Sequence, residues 1–279
     1  GRMFDLISQG AVRLDHLSIL VLDEADQMLD LGFIEDIRAI KRRLRQAHQT
    51  LFFSATINKK IKKLAFSQVR SSAIRIQFSP DDPVSKNVSH FVMFVEMDDK
   101  RFFLRRFIRD HPEARILVFV RTRVRAERVK KALLRSEIES LTLHGEKDQA
   151  DRQQALEAFK NGACRILIAT DVSARGIDIP NVAFVVNYDL PDDPENYVHR
   201  VGRTGRGQAK GSAISFCSTG EKPQLEQVQN FISKPVAVIA VSRREYEDTL
   251  VLTDERQSIA DLIRDQEAWE KKRRKKKKK

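Results

Sequence analysis

The sequence predicts an α/β fold with a largely parallel sheet, laid out as one short block and one longer block. Three observations carry this. Short apolar runs recur along the chain, helical patterns fall between them, and one proline-rich acidic break interrupts the alternation.

The strand-like runs are Ile19–Leu22, Leu51–Phe53, Phe91–Val95, Ile116–Val120, Ile166–Ala169, Val182–Val186 and Ala213–Phe216. Their length and lack of alternation fit strands buried on both faces. Most end in a polar or acidic residue, and ligands of such sheets bind beyond the carboxyl ends of the strands. Among the helices, Phe33, Ile37, Ile40 and Leu44 share one face, as do Ala126, Val129 and Leu133, and Asn161-Gly162 stops a helix ending near Lys160. Ile259, Leu262 and Ile263 suggest a short amphipathic helix near the C-terminal end.

The break is Ser79-Pro80-Asp81-Asp82-Pro83. It gives four expected parts: a first domain over 1–79, a linker over 80–87, a second domain over 88–245, and a helical extension with a basic tail over 246–279. The first block is too short for a whole α/β domain and is expected to be incomplete.

Composition narrows the class. Among 279 residues, 51 Lys and Arg against 39 Asp and Glu give +12. Nine of these cations form the unbroken run Lys271–Lys279, so the rest of the chain carries only +3. Collagen-like, disulfide-stapled and wholly disordered classes are excluded. No stretch approaches the ~18 apolar residues of a membrane span, and the N-terminal residues do not resemble a secretory signal. A soluble, cytoplasmic protein with no membrane partner is expected. Cys164 and Cys217 lie in apolar, strand-like runs and read as buried reduced thiols rather than a disulfide. The six histidines show no metal-ligand spacing, and nothing suggests zinc.

Two constellations carry chemistry. Ile19–Leu22 delivers Asp23-Glu24-Ala25-Asp26 to a strand end, where one acid can hold the water shell of Mg²⁺ while its neighbour polarises an attacking water. The same acids would equally suit the first turn of a helix. The second constellation is His199-Arg200-Val201-Gly202-Arg203-Thr204-Gly205-Arg206. Arginines three apart can present their guanidinium forks together on one polyanion, with glycine allowing close backbone approach. A solvated loop would tolerate the arginines without needing that glycine spacing.

With Ser54-Ala55-Thr56, Phe119-Val120-Arg121-Thr122-Arg123, Gln149 with Arg152, and Ala169-Thr170-Asp171-Val172-Ser173-Ala174-Arg175-Gly176-Ile177-Asp178, these motifs stand in the order and separation of the DEAD-box RNA helicases. The sequence resembles the bacterial RhlE-type branch over residues 1 to about 220. The resemblance implies tandem RecA-like parallel sheets flanked by helices, the first lobe incomplete, and an ATP-dependent RNA helicase with ATP and Mg²⁺ as cofactors. It implies that Asp23 coordinates Mg²⁺ through water and that Glu24 activates the hydrolytic water. Ser54 and Thr56 would couple nucleotide state to RNA through Asp26 and His199. Asp178 would hold the ribose, and Arg203 and Arg206 would reach the γ-phosphate. Sequence-tolerant contacts to the RNA backbone, on single strands and short duplexes, would fall to Gly1, Arg2, Arg121, Thr122, Gln149, Arg152, Thr170 and Gly176. Any protein partners are unspecified.

G-x-x-x-x-G-K-[ST] does not occur in these 279 residues, nor does the family's upstream glutamine motif. The chain by itself is therefore expected to lack appreciable ATPase activity. Two other readings stay open: a non-catalytic RNA-binding fragment or partner module, and a DNA translocase of the wider superfamily. The tail reads as a solvated appendage, as an aid to non-specific RNA affinity or, in a eukaryote, as a nuclear address.

Overall fold

The structure, a computed structural model, describes residues 2–30, 32–54, 59–76, 84–174, 177, 179 and 181–254. The chain divides into two compact units, Gly1–Phe78 and Ser79–Lys279.

In the first unit, helix α1 (Arg2–Ser8) precedes strand β1 (Ile19–Leu22), helices α2 (Ala25–Asp30) and α3 (Ile34–Arg43), strand β2 (Gln49–Phe52) and helix α4 (Lys59–Gln68). β1 and β2 pair in parallel, Ile19 opposite Gln49. α3 is the helix expected from the spacing of Phe33, Ile37 and Ile40. Ile37 is its buried residue, acids occupy its first turn, and Lys41, Arg42 and Arg43 occupy its last, as the helix dipole favours.

The second unit runs β3 (Val88–Phe94), α5 (Lys100–Asp110), β4 (Ile116–Phe119), α6 (Arg123–Leu134), β5 (Leu141–Leu143), α7 (Gln149–Lys160), β6 (Ile166–Ala169), α8 (Asp171–Ala174), β7 (Phe184–Asn187), α9 (Pro194–Val201), β8 (Gly211–Cys217), α10 (Lys222–Ile232), β9 (Ala237–Val238) and α11 (Arg243–Asp254). Its strands form one sheet in the order β5-β6-β4-β7-β8-β3-β9, with every pairing parallel.

Helices cover both faces of this sheet. Ile116 and Val118 join Phe103, Leu104, Ala126, Val129 and Leu133 on one side, so α5 and α6 pack there. Leu117 and Phe119 point the other way, into a cluster with Phe159 of α7 and Ala174 of α8. The period of two along β4 assigns alternate residues to two cores.

Several expected boundaries differ from the structure. Val84, placed in the linker, is buried with Val88 and Val92 in the second unit's core. The boundary at 245 falls inside α11, whose Tyr246 packs on Phe103 with ring centroids 4.8 Å apart and donates to Asp99 Oδ2 at 2.7 Å. The run Val182–Val186 begins its strand only at Phe184, because the Val182 carbonyl accepts from the Thr204 hydroxyl at 2.5 Å. Both cysteines are free, but Cys164 is only half-buried. Cys217 is buried, and burial pushes its thiol up to about 11, which keeps it protonated and unreactive at neutral pH. The helix expected over 259–269 and the basic tail lie outside the described residues, as does the whole 79–83 break. Among the described residues no helix is long and apolar enough to cross a membrane.

Candidate functional site

The acidic tetrapeptide combines both of its sequence readings. β1 ends at Leu22 and α2 begins at Ala25, so Asp23 and Glu24 form the joint between strand end and helix start. The Glu24 N–H donates to Asp23 Oδ1 at 2.9 Å, and the Glu24 carbonyl accepts from Gln27 and Met28 N–H at 3.0 and 3.1 Å. Glu24 takes a left-handed conformation, φ +50°, which costs a residue with a Cβ roughly 1–2 kcal/mol. That sharp joint leaves Asp23 exposed and Asp26 buried, with Asp26 Oδ1 accepting from the Gln27 N–H at 2.9 Å. The Ala25 N–H donates to the Phe53 carbonyl at 3.0 Å, which brings the chain at Ser54 onto the first turn of α2.

An exposed carboxylate with one oxygen already oriented by a backbone donor suits Mg²⁺, which keeps most of its waters and takes one or two protein carboxylates. Asp23 fits that role. Among the described residues no cluster of three His, Cys, Asp or Glu could hold a metal by itself.

In the second unit the residues expected to contact RNA gather at one edge. Arg121 and Thr122 follow β4, Gln149 and Arg152 open the helix after β5, and Thr170 follows β6. Because β5, β6 and β4 are adjacent, these positions lie together beyond three neighbouring carboxyl ends. Thr122 caps α6, its hydroxyl accepting from the Arg125 N–H at 3.2 Å, and Asp148 caps α7 in the same way at 2.8 Å. Thr170 Oγ1 lies 2.6 Å from Ser173 Oγ, and that hydroxyl donates to the Leu143 carbonyl at 2.7 Å, tying β6 to β5.

The arginine block behaves differently from its sequence expectation. Arg200 does not join Arg203 and Arg206 on a ligand: it is 1% exposed. Its Nε and Nη2 grip Asp171 at 2.5 and 2.8 Å, and Nη1 donates to the Asp189 carbonyl and Asn187 Oδ1 at 2.7 and 3.2 Å. A buried guanidinium needs its charge matched and its N–H groups filled, and those partners supply both. Arg203 and Arg206 each send Nε back to the carbonyl four residues earlier, His199 at 3.3 Å and Gly202 at 3.0 Å. Arg203 is largely buried, with Nη1 donating to the Ile177 carbonyl at 2.7 Å, whereas Arg206 is exposed. His199 is half-buried in the last turn of α9.

One glycine of the block, Gly205, and Gly211 beyond it serve packing inside the protein, while Gly202 is exposed. A Cβ on Gly205, at φ +64°, would stand 2.6 Å from Val88 Cγ2, and one on Gly211 would stand 2.0 Å from Thr204 Oγ1. At these two glycines the close approach is between this turn and the starts of β3 and β8.

Sequence reasoning missed the groups that hold Arg121. Asp189, 2% exposed, accepts from the Arg121 N–H at 3.0 Å and pairs with Arg125 Nε at 3.4 Å. Arg121 Nη2 donates to the Leu190 carbonyl at 3.0 Å and lies 3.3 Å from Asp192. Beneath it, buried Lys100 donates to Glu221 Oε2 at 2.5 Å and to the Tyr188 carbonyl at 2.7 Å. Glu221 also accepts from the Leu190 N–H at 3.2 Å and from Ser218 N–H and hydroxyl at 3.0 and 2.7 Å. Burial pushes the Glu221 carboxyl up, but the Lys100 ammonium and the Ser218 donors outweigh that and hold it below the usual carboxylate range. Asp189 could have been found, since it ends an apolar run and strand ends carry ligands.

Arg2 is exposed at the start of α1. Gly1, Thr56, Gly176 and Asp178 lie outside the described residues.

Two family models match the chain: DEAD/DEAH box helicase over residues 1–64 and helicase conserved C-terminal domain over residues 99–208. A curated relative, the ATP-dependent RNA helicase RhlB of Shewanella sp. (strain W3-18-1), is 38% identical over 256 residues, covering 91% of this chain and 57% of the relative. The chain thus spans little more than half the length of such relatives. Among solved structures, S. cerevisiae Dbp5 bound to RNA and ADP BeF3 superposes with a TM-score of 0.78 at 31% identity, covering 91% of this chain and 66% of that one. The E. coli DEAD-box protein SrmB bound to regulator of ribonuclease activity A is 34% identical, with a TM-score of 0.54, covering 56% of this chain and 93% of that one.

Proposed function

From the premise that this chain belongs to the DEAD-box helicase family and has its RecA-like fold, we propose that it is part of an ATP-dependent RNA helicase that couples ATP hydrolysis to local unwinding of short RNA duplexes or to remodelling of ribonucleoprotein. The observation that carries this reading is the gathering of Arg121, Thr122, Gln149, Arg152 and Thr170 beyond the adjacent carboxyl ends of β4, β5 and β6. Capped helix starts and exposed or half-buried polar side chains suit a ribose-phosphate backbone, which offers acceptors at a regular spacing and no sequence information. Gly1, Arg2 and Gly176 are assigned to the same strand on motif spelling, and a single strand bent as it is held cannot keep its pairing partner.

Asp23 would hold Mg²⁺ through water, and Arg203 and Arg206 would meet the γ-phosphate of ATP, with Asp178 on the ribose. The metal with its nucleotide supplies an activated phosphoryl group, and the arginines would supply the positive charge that accumulates against it in transfer. Glu24, set at a strained joint between strand and helix, is the group that would orient the attacking water. Asp26, Ser54, Thr56 and His199 are assigned to coupling between nucleotide and RNA. Two free thiols support a reducing, cytoplasmic setting. The bacterial RhlE-type branch is a proposal that rests on motif spelling.

The test is RNA binding by the 279-residue polypeptide. It should bind unrelated single strands with similar affinity, and Arg152→Ala should weaken all of them while flattening the slope of log affinity against log salt by about 0.7. An unchanged slope would remove the assignment. Because these residues contain no G-x-x-x-x-G-K-[ST] cradle, the same polypeptide should release no phosphate from ATP with or without RNA.

A further inference from the structure

The first unit carries a surface that none of the helicase motifs uses. α4 reads Lys59-Lys60-Ile61-Lys62-Lys63-Leu64-Ala65-Phe66-Ser67-Gln68 and begins three residues after Thr56. Ile61, Leu64 and Gln68 are its buried residues, at the spacing of one helical face. Lys59, Lys62, Lys63 and Phe66 stand at i, i+3, i+4 and i+7, which sets them together on another face. All four are exposed, and Phe66 is 73% exposed.

Two features separate this face from an ordinary solvated helix. Solvated helices mix their charges: α11 pairs Arg243 with Glu247 and Arg244 with Asp248 at the i,i+4 spacing, and α3 pairs Arg38 with Glu35. α4 has four lysines and no acid in its first turn, where the dipole favours acids. Solubility also needs no phenylalanine raised into water among lysines, since an exposed ring gains nothing there. At its C-terminal end α4 meets more positive charge, because the Lys41 ammonium donates to the Gln68 carbonyl and carries the Lys41-Arg42-Arg43 turn of α3 to that end.

A row of cations beside an exposed aromatic ring is the chemistry that holds single-stranded nucleic acid, with phosphates on the ammonium groups and a base stacked on the ring. We propose that the outward face of α4 is an auxiliary site for single-stranded RNA, in which Phe66 stacks a base and Lys59, Lys62 and Lys63 neutralise the flanking phosphates. An acidic protein would use the lysines but would leave the ring without a stacking partner, so the aromatic residue favours RNA. The inference shares its ligand class with the proposed function but uses none of the same residues.

The test uses fluorescently labelled single-stranded RNA and the full 279-residue chain, without nucleotide. Phe66→Ala should weaken binding about five- to a hundredfold, the range of one base–aromatic stack. Phe66→Trp, in a Trp269→Phe background, should retain affinity and show quenching as RNA is added. K59Q/K62Q/K63Q should flatten the salt slope by about 2, at roughly 0.7 per neutralised phosphate. Since these side chains are exposed, circular dichroism should show each variant folded. Unchanged affinity on Phe66→Ala, an unquenched indole, or an unaltered salt slope in the lysine variant would overturn the proposal. Failure of the second-unit reading looks different: Arg152→Ala would then be silent while the Phe66 variants still respond.

Discussion

Ile19-Leu20-Val21-Leu22 and Ile116-Leu117-Val118-Phe119 are nearly interchangeable as sequence, yet they end in opposite environments. Every residue of β4 is buried, whereas Ile19 and Val21 of β1 are each 52% exposed. The difference lies in the neighbours. β4 is flanked by β6 and β7 and covered on both faces, while β1 pairs with β2 in a sheet of two strands among the described residues. A buried-strand pattern therefore reports what a segment can bury, and its surroundings decide how much it does. In this chain the first unit carries the acidic tetrapeptide Asp23–Asp26 and the second carries most of the core.

The largest expected consequence is in hydrogen exchange. Amides of β4 and β6 should exchange only through global opening of the second unit, of order 5–15 kcal/mol, while those of β1 and β2 should exchange through much cheaper local opening. Comparable protection in the two sheets would break the comparison. Limited proteolysis should accordingly leave a resistant core starting near Val84, whose side chain is already in that core.

Next in size are the buried ion pairs, which belong to the second unit. Arg200→Ala would leave Asp171 without its guanidinium, and Glu221→Gln would leave Lys100 as a buried cation without its counterion. Each should cost about 3–5 kcal/mol, read from denaturant midpoints. The pH dependence has a definite sign. Glu221 titrates below its ordinary value of 4.5 in the folded chain, so its contribution is complete above 4.5 and is lost as pH falls through the lower folded value. Glu221→Gln should flatten the acid limb of the stability profile, and an unaltered limb would mean that the pair does not stabilise the fold.

Much of this was legible in advance, and its limits follow from how residues advertise themselves. The parallel sheet, α3, α6 and the stop after α7 follow from periodicity and from Asn161-Gly162. β5 escaped because Leu141-Thr142-Leu143 is three residues long with a polar centre, although Thr142 is fully buried and donates to Glu127 at 2.7 Å. Lys100 and Arg200 escaped for a deeper reason. Long cations read as surface, and only a folded neighbourhood with carboxylates and carbonyls in place can take them inside. The motif block in which Arg200 stands could be read as a block, but not divided into two arginines buried in the protein, Arg200 and Arg203, and one exposed, Arg206.

A smaller contrast concerns packing. Leu104→Ala, at a fully buried position of α5, should destabilise the second unit by about 2–5 kcal/mol. Val21→Ala should change the first unit by well under 1 kcal/mol, since half of that side chain already meets water. Equal effects would show that Val21 is covered in solution.

The smallest effect bears most directly on the chemistry. Glu24 is held at φ +50°, where a side chain costs roughly 1–2 kcal/mol, while glycine adopts the same angle freely and loses roughly 0.5–1 kcal/mol of chain entropy on folding. Glu24→Gly should therefore leave α2 as stable as in the wild type or more stable by up to about 1.5 kcal/mol, while Glu24→Ala, which keeps the Cβ, should gain nothing. Exchange rates of the α2 amides would rank the three. If glycine is less stable than alanine by the full entropy cost of roughly 0.5–1 kcal/mol, the joint is unstrained. If glycine is the more stable, a carboxylate is retained at a position where it works against folding, as expected of a group kept for chemistry.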